Sequence, residues 1–179
     1  TSGIEQAVKD AGGKLAPGNS EGYFQTVTVP KGRRLREVKE HELILQADVL
    51  INVPVLKSHG GARLTVAMKN LMGVVWDRGE WHANDLHQCI ADFATYRKPD
   101  LNVVDAYNVL LRHGPRGVST ADVANLRSQL LSTDLVTADA AAAKLFGLEP
   151  DAVDYIRIAG EMGVGRKDLE NLAIRRIVL

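Results

Sequence analysis

Two stretches of the chain carry nearly continuous runs of apolar residues, and the segments between them carry apolar residues at helical intervals. Residues 49–55 and 101–106 form the two runs, which are typical of strands buried in a parallel sheet. Residues 64–72 and 84–96 have apolar side chains at three- and four-residue spacing, which predicts two helices. The sequence therefore predicts two buried strands with helices between them.

The rest of the chain continues this alternation of helical and extended patterns. Further helices are predicted over residues 3–11, 35–47, 137–146 and 150–162, and further strands over residues 24–29, 130–136 and 173–179. This order predicts an α/β fold in which helices lie on both faces of a layered, largely parallel sheet. No internal repeat or low-complexity linker divides the chain, so residues 1–179 are predicted to form one domain.

The charge of the chain is balanced, which argues against a general nucleic-acid or membrane-surface role. Lys and Arg number 22, as do Asp and Glu, and the charged and apolar fractions of 25% and 45% are those of a globular protein. No apolar segment is long enough to cross a bilayer. The chain starts at Thr1 without a signal-peptide pattern, so a cytoplasmic location and export with removal of a signal both stay open.

Cys89 is the only cysteine of the chain. A single thiol excludes an intrachain disulfide, and it excludes an iron–sulfur or zinc site built from several cysteines of this chain. Its position inside a predicted helix, beside Ile90, favours a small core residue over a reactive one.

Polar residues follow both buried strands at the place where ligands bind to open α/β sheets. Lys57 and His59 follow the first strand in a loop that contains glycine, and Asp105 lies at the end of the second. A lysine there can anchor a phosphate or carboxylate, or act as a nucleophile when it is desolvated. A loop histidine can meet an anion, a metal or a substrate oxygen. The alternative for both residues is an exposed surface position without such a role.

Two further groups of residues have chemistry suited to anion binding. Lys69 and Asn70 can hydrogen-bond a substrate carboxylate or phosphate, although Asn70 and Gly73 also fit the C-terminal cap of a helix. Residues 113–117 have the composition of a turn, in which Arg116 and free glycine amides can bind an anion. The sequence thus adds Lys69, Asn70 and Arg116 to the candidate substrate-binding residues.

The histidines also permit a metal site, but only one assembled from separate segments. His82 and His87 are five residues apart, so they lack the spacing at which two imidazoles share one face of a helix. A combination of His59, His82 and Asp105 would provide two imidazoles and one carboxylate, with open positions, for a divalent metal.

Several short motifs follow one another in a specific order along the chain. They are Pro54, Lys57 and His59; Lys69, Asn70 and Gly73; His82; Asp105; Gly114, Pro115 and Gly117; and Asp134 and Asp139. In this order they resemble the domain of unknown function 362 family, over more than half of the chain.

This resemblance implies both a pocket and a longer parent domain. Members of the family often carry cysteine clusters for iron–sulfur centres, which this chain lacks. The family domain is expected to begin upstream of Thr1. The residues expected to converge in one pocket are Lys57, His59, Lys69, Asn70 and His82.

The leading hypothesis is an enzyme or a ligand-binding domain for an anionic small molecule. In this hypothesis Lys57 and Lys69 neutralise the anion, His59 or His82 transfers protons, and Asp105 orients one of the histidines.

Two alternatives belong to other functional classes. In one, the protein is a metal-dependent or electron-transfer component that uses the histidines and Asp105, together with a partner that supplies iron–sulfur centres. In the other, it is a non-catalytic interaction module in which Trp76 and Trp81 are exposed anchors, although core packing explains two tryptophans equally well.

Overall fold

A computed structural model describes residues 3–178, and its elements confirm the predicted α/β class. The helices are α1 (Ile4–Asp10), α2 (Glu42–Gln46), α3 (Ala67–Asn70), α4 (Arg78–Ala83), α5 (Leu86–Tyr96), α6 (Leu135–Phe146) and α7 (Asp154–Glu161). The strands are β1 (Phe24–Thr28), β2 (Glu37–His41), β3 (Ile51–Asn52), β4 (Val55–His59), β5 (Arg63–Thr65), β6 (Leu101–Leu110) and β7 (Val123–Ser132). Within residues 3–178, no helix is long and apolar enough to cross a membrane.

The main sheet is built around β6. Along one side of β6, β3 and β4 lie end to end and parallel to it, with Asn52 opposite Asn102 and Val55 opposite Asp105. Along the other side β7 runs antiparallel, while β5 pairs antiparallel with β4 at the outer edge. The chain passes from β4 through β5, α3, α4 and α5 before it enters β6. β1 and β2 form a separate antiparallel pair.

The strand predicted over residues 49–55 is part of a longer strand that is interrupted at Pro54. This residue has no N–H to donate to a neighbouring strand, and β3 and β4 stop on either side of it. The Pro54 carbonyl still accepts a hydrogen bond from the Asp105 N–H at 2.8 Å, so the chain stays alongside β6. As a consequence β4 extends to His59, and Lys57 and His59 lie in a strand instead of the predicted loop.

The predicted end of the second strand at residue 106 is wrong, because β6 continues to Leu110. β6 and β7 are ten-residue antiparallel partners, and their pairing carries the strand beyond its apolar first half. Asp105 is therefore in the middle of β6. The strand predicted over residues 130–136 also ends earlier, because the Asp134 side chain accepts the N–H groups of Val136 and Thr137 and starts α6.

Three further predictions of secondary structure are wrong. Residues 35–47 form β2 followed by the short α2. Val38 and Glu40, two positions apart, are both buried as in a strand, and β1 supplies the strand partner. The helix predicted over residues 64–72 starts only at Ala67, since β5 pairs with β4. Residues 173–178 are exposed and contain no strand, and Leu179 lies outside the described residues.

The helices α3 and α6 pack on one face of the main sheet. Leu56, Val104 and Ala106 are buried on this face, where α6 packs against β6 and β7. The opposite face carries exposed apolar side chains, among them those of Ile51, Val53, Val55, Tyr107 and Leu131.

A chain of amide hydrogen bonds links the sheet to α3. Asn52 Nδ2 donates to the Ala67 carbonyl at 3.0 Å and to Asn102 Oδ1 at 2.9 Å, and Asn70 Nδ2 donates to Asn52 Oδ1 at 2.8 Å. Asn102 Nδ2 donates in turn to the Ser132 carbonyl at 3.2 Å. Because Asn52 and Asn102 are buried, their amides depend on these partners instead of water. The network thereby fixes α3 relative to β3, β6 and β7.

We expect Asn52→Ala to lower the free energy of unfolding by about 2–3 kcal/mol, because it leaves the Ala67 carbonyl and the Asn102 amide buried without their partner. The measurement is urea unfolding followed by circular dichroism. Asn108→Ala is the matched control, since Asn108 accepts from Asn125 at 2.7 Å but is exposed, and it should cost about 0.5 kcal/mol or less. Equal losses in the two variants would contradict a structural role for the buried network.

Candidate functional site

A cavity of about 300 Å³ lies at the carboxyl end of β4. Its lining combines cationic, imidazole and amide groups with a few small or apolar residues. The lining residues are Lys57, His59, Thr65, Lys69, Asn70, Met72, Gly73, Arg78, His82 and Pro115. The five residues that the family resemblance places in one pocket are all among them.

Segments that follow one another along the chain supply most of this lining. β4 carries Lys57 and His59, and β5 turns back beside it so that Thr65 pairs with Lys57. α3 follows and contributes Lys69. The chain then continues through the 3₁₀ turn Leu71–Val74 to α4, where further lining residues lie. Because these segments are close in sequence, most of the pocket is built by one hairpin and the two helices after it.

The buried side chain of Asp139 holds the start of α3 in place. Asp139 lies within α6, and its two oxygens accept the N–H groups of Ala67 at 2.6 Å and Met68 at 3.2 Å. Burial raises the pKa of Asp139 to about 8, opposed by the hydrogen bonds from Met68, Ala67 and Tyr155. The sequence-based motif contained Asp139, but its action on a different helix is visible only in the structure.

The loop after β6 reaches the pocket through close contact with β4. The Gly114 N–H donates to Ser58 Oγ at 3.1 Å, and a Cβ at Gly114 would lie 1.8 Å from the Ser58 carbonyl oxygen. Only glycine fits at this distance, which allows Pro115 to reach the pocket. Arg116, the predicted anion ligand in this loop, is exposed and does not line the cavity.

His59 is held as a neutral ring. Its Nδ1 accepts the N–H groups of Gly61 and Ala62, both at 3.1 Å, so the neutral ring carries its proton on Nε2 and offers an N–H donor there. Burial lowers the pKa of His59 to about 4, with further lowering by the charges of Lys69, His82, Lys57 and His87. His59 and His82 are stacked, with ring centroids 6.1 Å apart.

Lys69 is the most buried cation of the pocket, with 8% of its surface exposed. Its Nζ contacts the thioether sulfur of Met72 at 3.3 Å, which is a weak hydrogen-bond acceptor. Burial and the nearby charge of Lys57 lower the pKa of Lys69. Burial and the charge of Lys69 likewise lower the pKa of His82.

The pocket has no negative charge to balance these cations. None of its lining residues is Asp or Glu. Among the salt bridges found within residues 3–178, none involves Lys57, Lys69 or Arg78. Chemically, the arrangement is suited to a small anion.

Comparison with known proteins gives the family of the chain. Residues 1–144 match the family described as Domain of unknown function (DUF362). The chain belongs to this family. A relative, the thylakoid-associated protein sll1697 of Synechocystis sp., is 26% identical over 198 residues, which cover 90% of this chain and 60% of that protein. The chain thus spans less than two thirds of the relative's length. No solved structure matches it.

In this DUF362 chain, Asp105 does not join the histidines. It lies in the middle of β6 opposite Val55, its side chain is exposed, and its Oδ1 accepts the Tyr107 N–H at 2.9 Å. Within residues 3–178, no three His, Cys, Asp or Glu side chains are grouped so that they could hold a metal. The predicted combination of His59, His82 and Asp105 is therefore not assembled, because β6 continues past Asp105 instead of ending there.

The aromatic and thiol side chains named in the sequence belong largely to the core. Trp81 is 2% exposed and packs against Phe93 with ring centroids 5.5 Å apart, so it is not the exposed anchor required by the interaction-module hypothesis. Trp76 is half-buried and contacts Phe24. Cys89 is buried as predicted, and burial raises the pKa of its thiol to about 11.

Sequence reasoning missed two polar residues of the pocket, Arg78 and Thr65. Arg78 and His82 both lie on α4 four positions apart, so they lie on the same side of the helix. Thr65 is paired with Lys57 across the two strands. The spacing of Arg78 and His82 is visible in the sequence, whereas Thr65 requires knowledge of the β4–β5 pairing.

We expect Lys69→Met to raise the pKa of His59 from about 4 towards the ordinary histidine value of about 6.5, because it removes a positive charge while keeping the site buried. The charge of Lys69 is one of the causes that lower the pKa of His59, so its removal should raise that pKa. The measurement is a pH titration of the His59 Cε1–H resonance by NMR.

Lys144→Met is the control for this titration, because Lys144 is exposed and pairs with Glu149 outside the pocket. A pKa for His59 that stays near 4 in Lys69→Met would show that burial alone holds the ring neutral.

Proposed function

We propose that this chain binds a small anionic molecule in the pocket beside β4, as an enzyme or as a ligand-binding domain. The observation that carries the proposal is the charge of the pocket. Lys57, Lys69 and Arg78 line one cavity together with two histidines, and no carboxylate is among the lining residues. A concave site in which polar side chains converge and have shifted pKa values is the arrangement expected of a ligand site.

The electrostatic cost of the empty arrangement supports the proposal. Lys69 is nearly buried, and Lys57 adds a like charge nearby that disfavours its protonated form. Cations held together without a counter-charge are costly, and an anionic ligand would offset that cost. The proposed ligand therefore supplies the negative charge that the lining residues lack.

The residues have different roles in the proposed complex. Lys57 and Arg78 provide charged donors to the anion, and His59 adds its Nε2–H without carrying a charge. Burial and Lys69 lower the pKa of His82, which favours its neutral imidazole, the form that can accept a proton. A cavity of about 300 Å³ suits a ligand of metabolite size rather than a polymer.

The relative adds context without defining a substrate. The Synechocystis protein is named for its association with thylakoids, and this chain matches only 60% of it. We propose that anion binding is a property of the shared portion. The substrate of the whole protein then depends on any residues that other parts contribute to the pocket.

We expect sulfate and malonate to bind the wild-type protein saturably, and Lys57→Gln and Arg78→Gln each to weaken binding at least about tenfold, because each removes a charged hydrogen bond worth roughly 1.5–3 kcal/mol. Isothermal titration calorimetry at constant ionic strength, adjusted with chloride, measures both affinities.

Lys144→Gln is the matched control for these titrations. It removes a lysine charge from α6, outside the pocket, and should leave the affinity unchanged. Absence of saturable binding in the wild type, or an equal loss in Lys144→Gln, would refute the proposed site.

A further inference from the structure

The surroundings of Lys69 differ from those of a lysine that only provides charge. Its side chain is 8% exposed, and the hydrogen-bond acceptor found for its Nζ is the Met72 thioether. Among the ion pairs within residues 3–178, none includes Lys69. A lysine that serves only as a charge is usually exposed or paired with a carboxylate, so this position increases the fraction of uncharged amine relative to an exposed lysine.

The uncharged amine of a lysine is a nucleophile, whereas its ammonium form is not. Burial and the neighbouring Lys57 charge both lower the pKa of Lys69, which increases the fraction that carries a free lone pair. Lys69 also lines a cavity in which other cations remain to bind an anion. The pocket therefore contains one lysine suited to act as a nucleophile, Lys69, beside other cations that can bind the anion.

We propose that Lys69 forms a Schiff base with the carbonyl carbon of a small anionic carbonyl compound of the 2-oxo acid class, whose carboxylate is bound by Lys57 and Arg78. This inference rests on the proposed anion site and assigns a substrate class to it. The nearly buried Lys69 side chain and the cationic residues that line the same cavity are the geometric basis.

The bonds and protons of this step balance without an oxidant or reductant. The Lys69 lone pair forms a C–N bond to the carbonyl carbon, and the C=O π electrons move to oxygen, which takes up the first of the two amine protons and gives a carbinolamine. Nitrogen then gives up its second proton to the hydroxyl group, the C–O bond breaks, and water leaves as the C=N bond forms. One amine and one carbonyl group thus give one imine and one water.

The two stacked histidines are placed to assist these transfers. The Nε2–H of His59 donates a hydrogen bond to the carbonyl oxygen, which withdraws electron density from the carbon. His82 accepts the proton from nitrogen and returns it to the departing hydroxyl group. Lys57 is not the nucleophile in this account, because it is more exposed than Lys69 and lies on the strand side of the pocket.

Reductive trapping tests the inference directly. The wild-type protein is incubated with pyruvate and sodium cyanoborohydride near neutral pH, digested and mapped by mass spectrometry. We expect modification to be concentrated at Lys69, several-fold above the exposed Lys9 and Lys144, which serve as internal controls. Malonate has no ketone or aldehyde carbonyl, and it should protect Lys69 without protecting Lys144. Even modification of all lysines, or preferential modification of Lys57, would overturn the assignment.

Lys69→Arg separates this inference from the proposed function. Arginine keeps the positive charge but has no nucleophilic amine at neutral pH, so malonate binding should persist while trapping in the pocket is lost. Malonate binding in the wild type without trapping at Lys69 would overturn the Schiff base alone. Loss of malonate binding in the wild type would overturn the anion site as well. The wild-type peptide map decides the inference even if Lys69→Arg does not fold.

Discussion

Two hydrogen bonds from backbone N–H groups to the Asp139 side chain determine where the pocket can form. These bonds tie Ala67 and Met68 at the start of α3 to the middle of α6. Asn52 accepts and donates from the sheet side, where it binds the Ala67 carbonyl and the Asn70 amide. A four-residue helix has little stability of its own, so α3 depends on these buried contacts. Because Lys69 projects from α3, the charge of the pocket depends on the same contacts.

The same arrangement explains why the pocket is unusual in its electrostatics. Most charged side chains of the protein lie at the surface, where solvent and opposite charges offset them. In the pocket, β4 and α3 instead bring Lys57 and Lys69 together, while backbone N–H groups keep His59 in a form that donates without charge. The fold therefore holds cations and neutral donors together around one small volume. This combination is favourable when an anion enters and costly when none is present.

Local sequence patterns were sufficient to predict the helices and strands whose signals lie within a few neighbouring residues. Helix α6 ends at residue 146, as predicted, because Gly147 adopts a positive φ of 88° and closes the last turn. Lys57 and His59 could be associated with a strand end because the apolar run before them is long. The motif order then linked them to Lys69 and His82, although no single spacing in the sequence required that contact.

Other features depend on partners that are distant in sequence. β2 was predicted as helix because its pairing with β1 is not visible in local periodicity. Asp105 was predicted at a strand end because the pairing that extends β6 comes from β7, about twenty residues later. Asp139 has its effect on residues more than seventy positions earlier. The hydrophobic pattern therefore predicts elements well, whereas strand extension and side chains that act between elements require the tertiary structure.

The central claim is that the pocket lacks a negative charge which its ligand supplies. The pKa of His59, measured by NMR with chloride and then with saturating sulfate at equal ionic strength, tests this claim most directly. Sulfate stays doubly charged throughout such a titration, so its charge is constant. The account predicts that sulfate raises the pKa of His59 from about 4, because a nearby anion favours the protonated ring. A pKa that is the same in sulfate and in chloride would contradict the account.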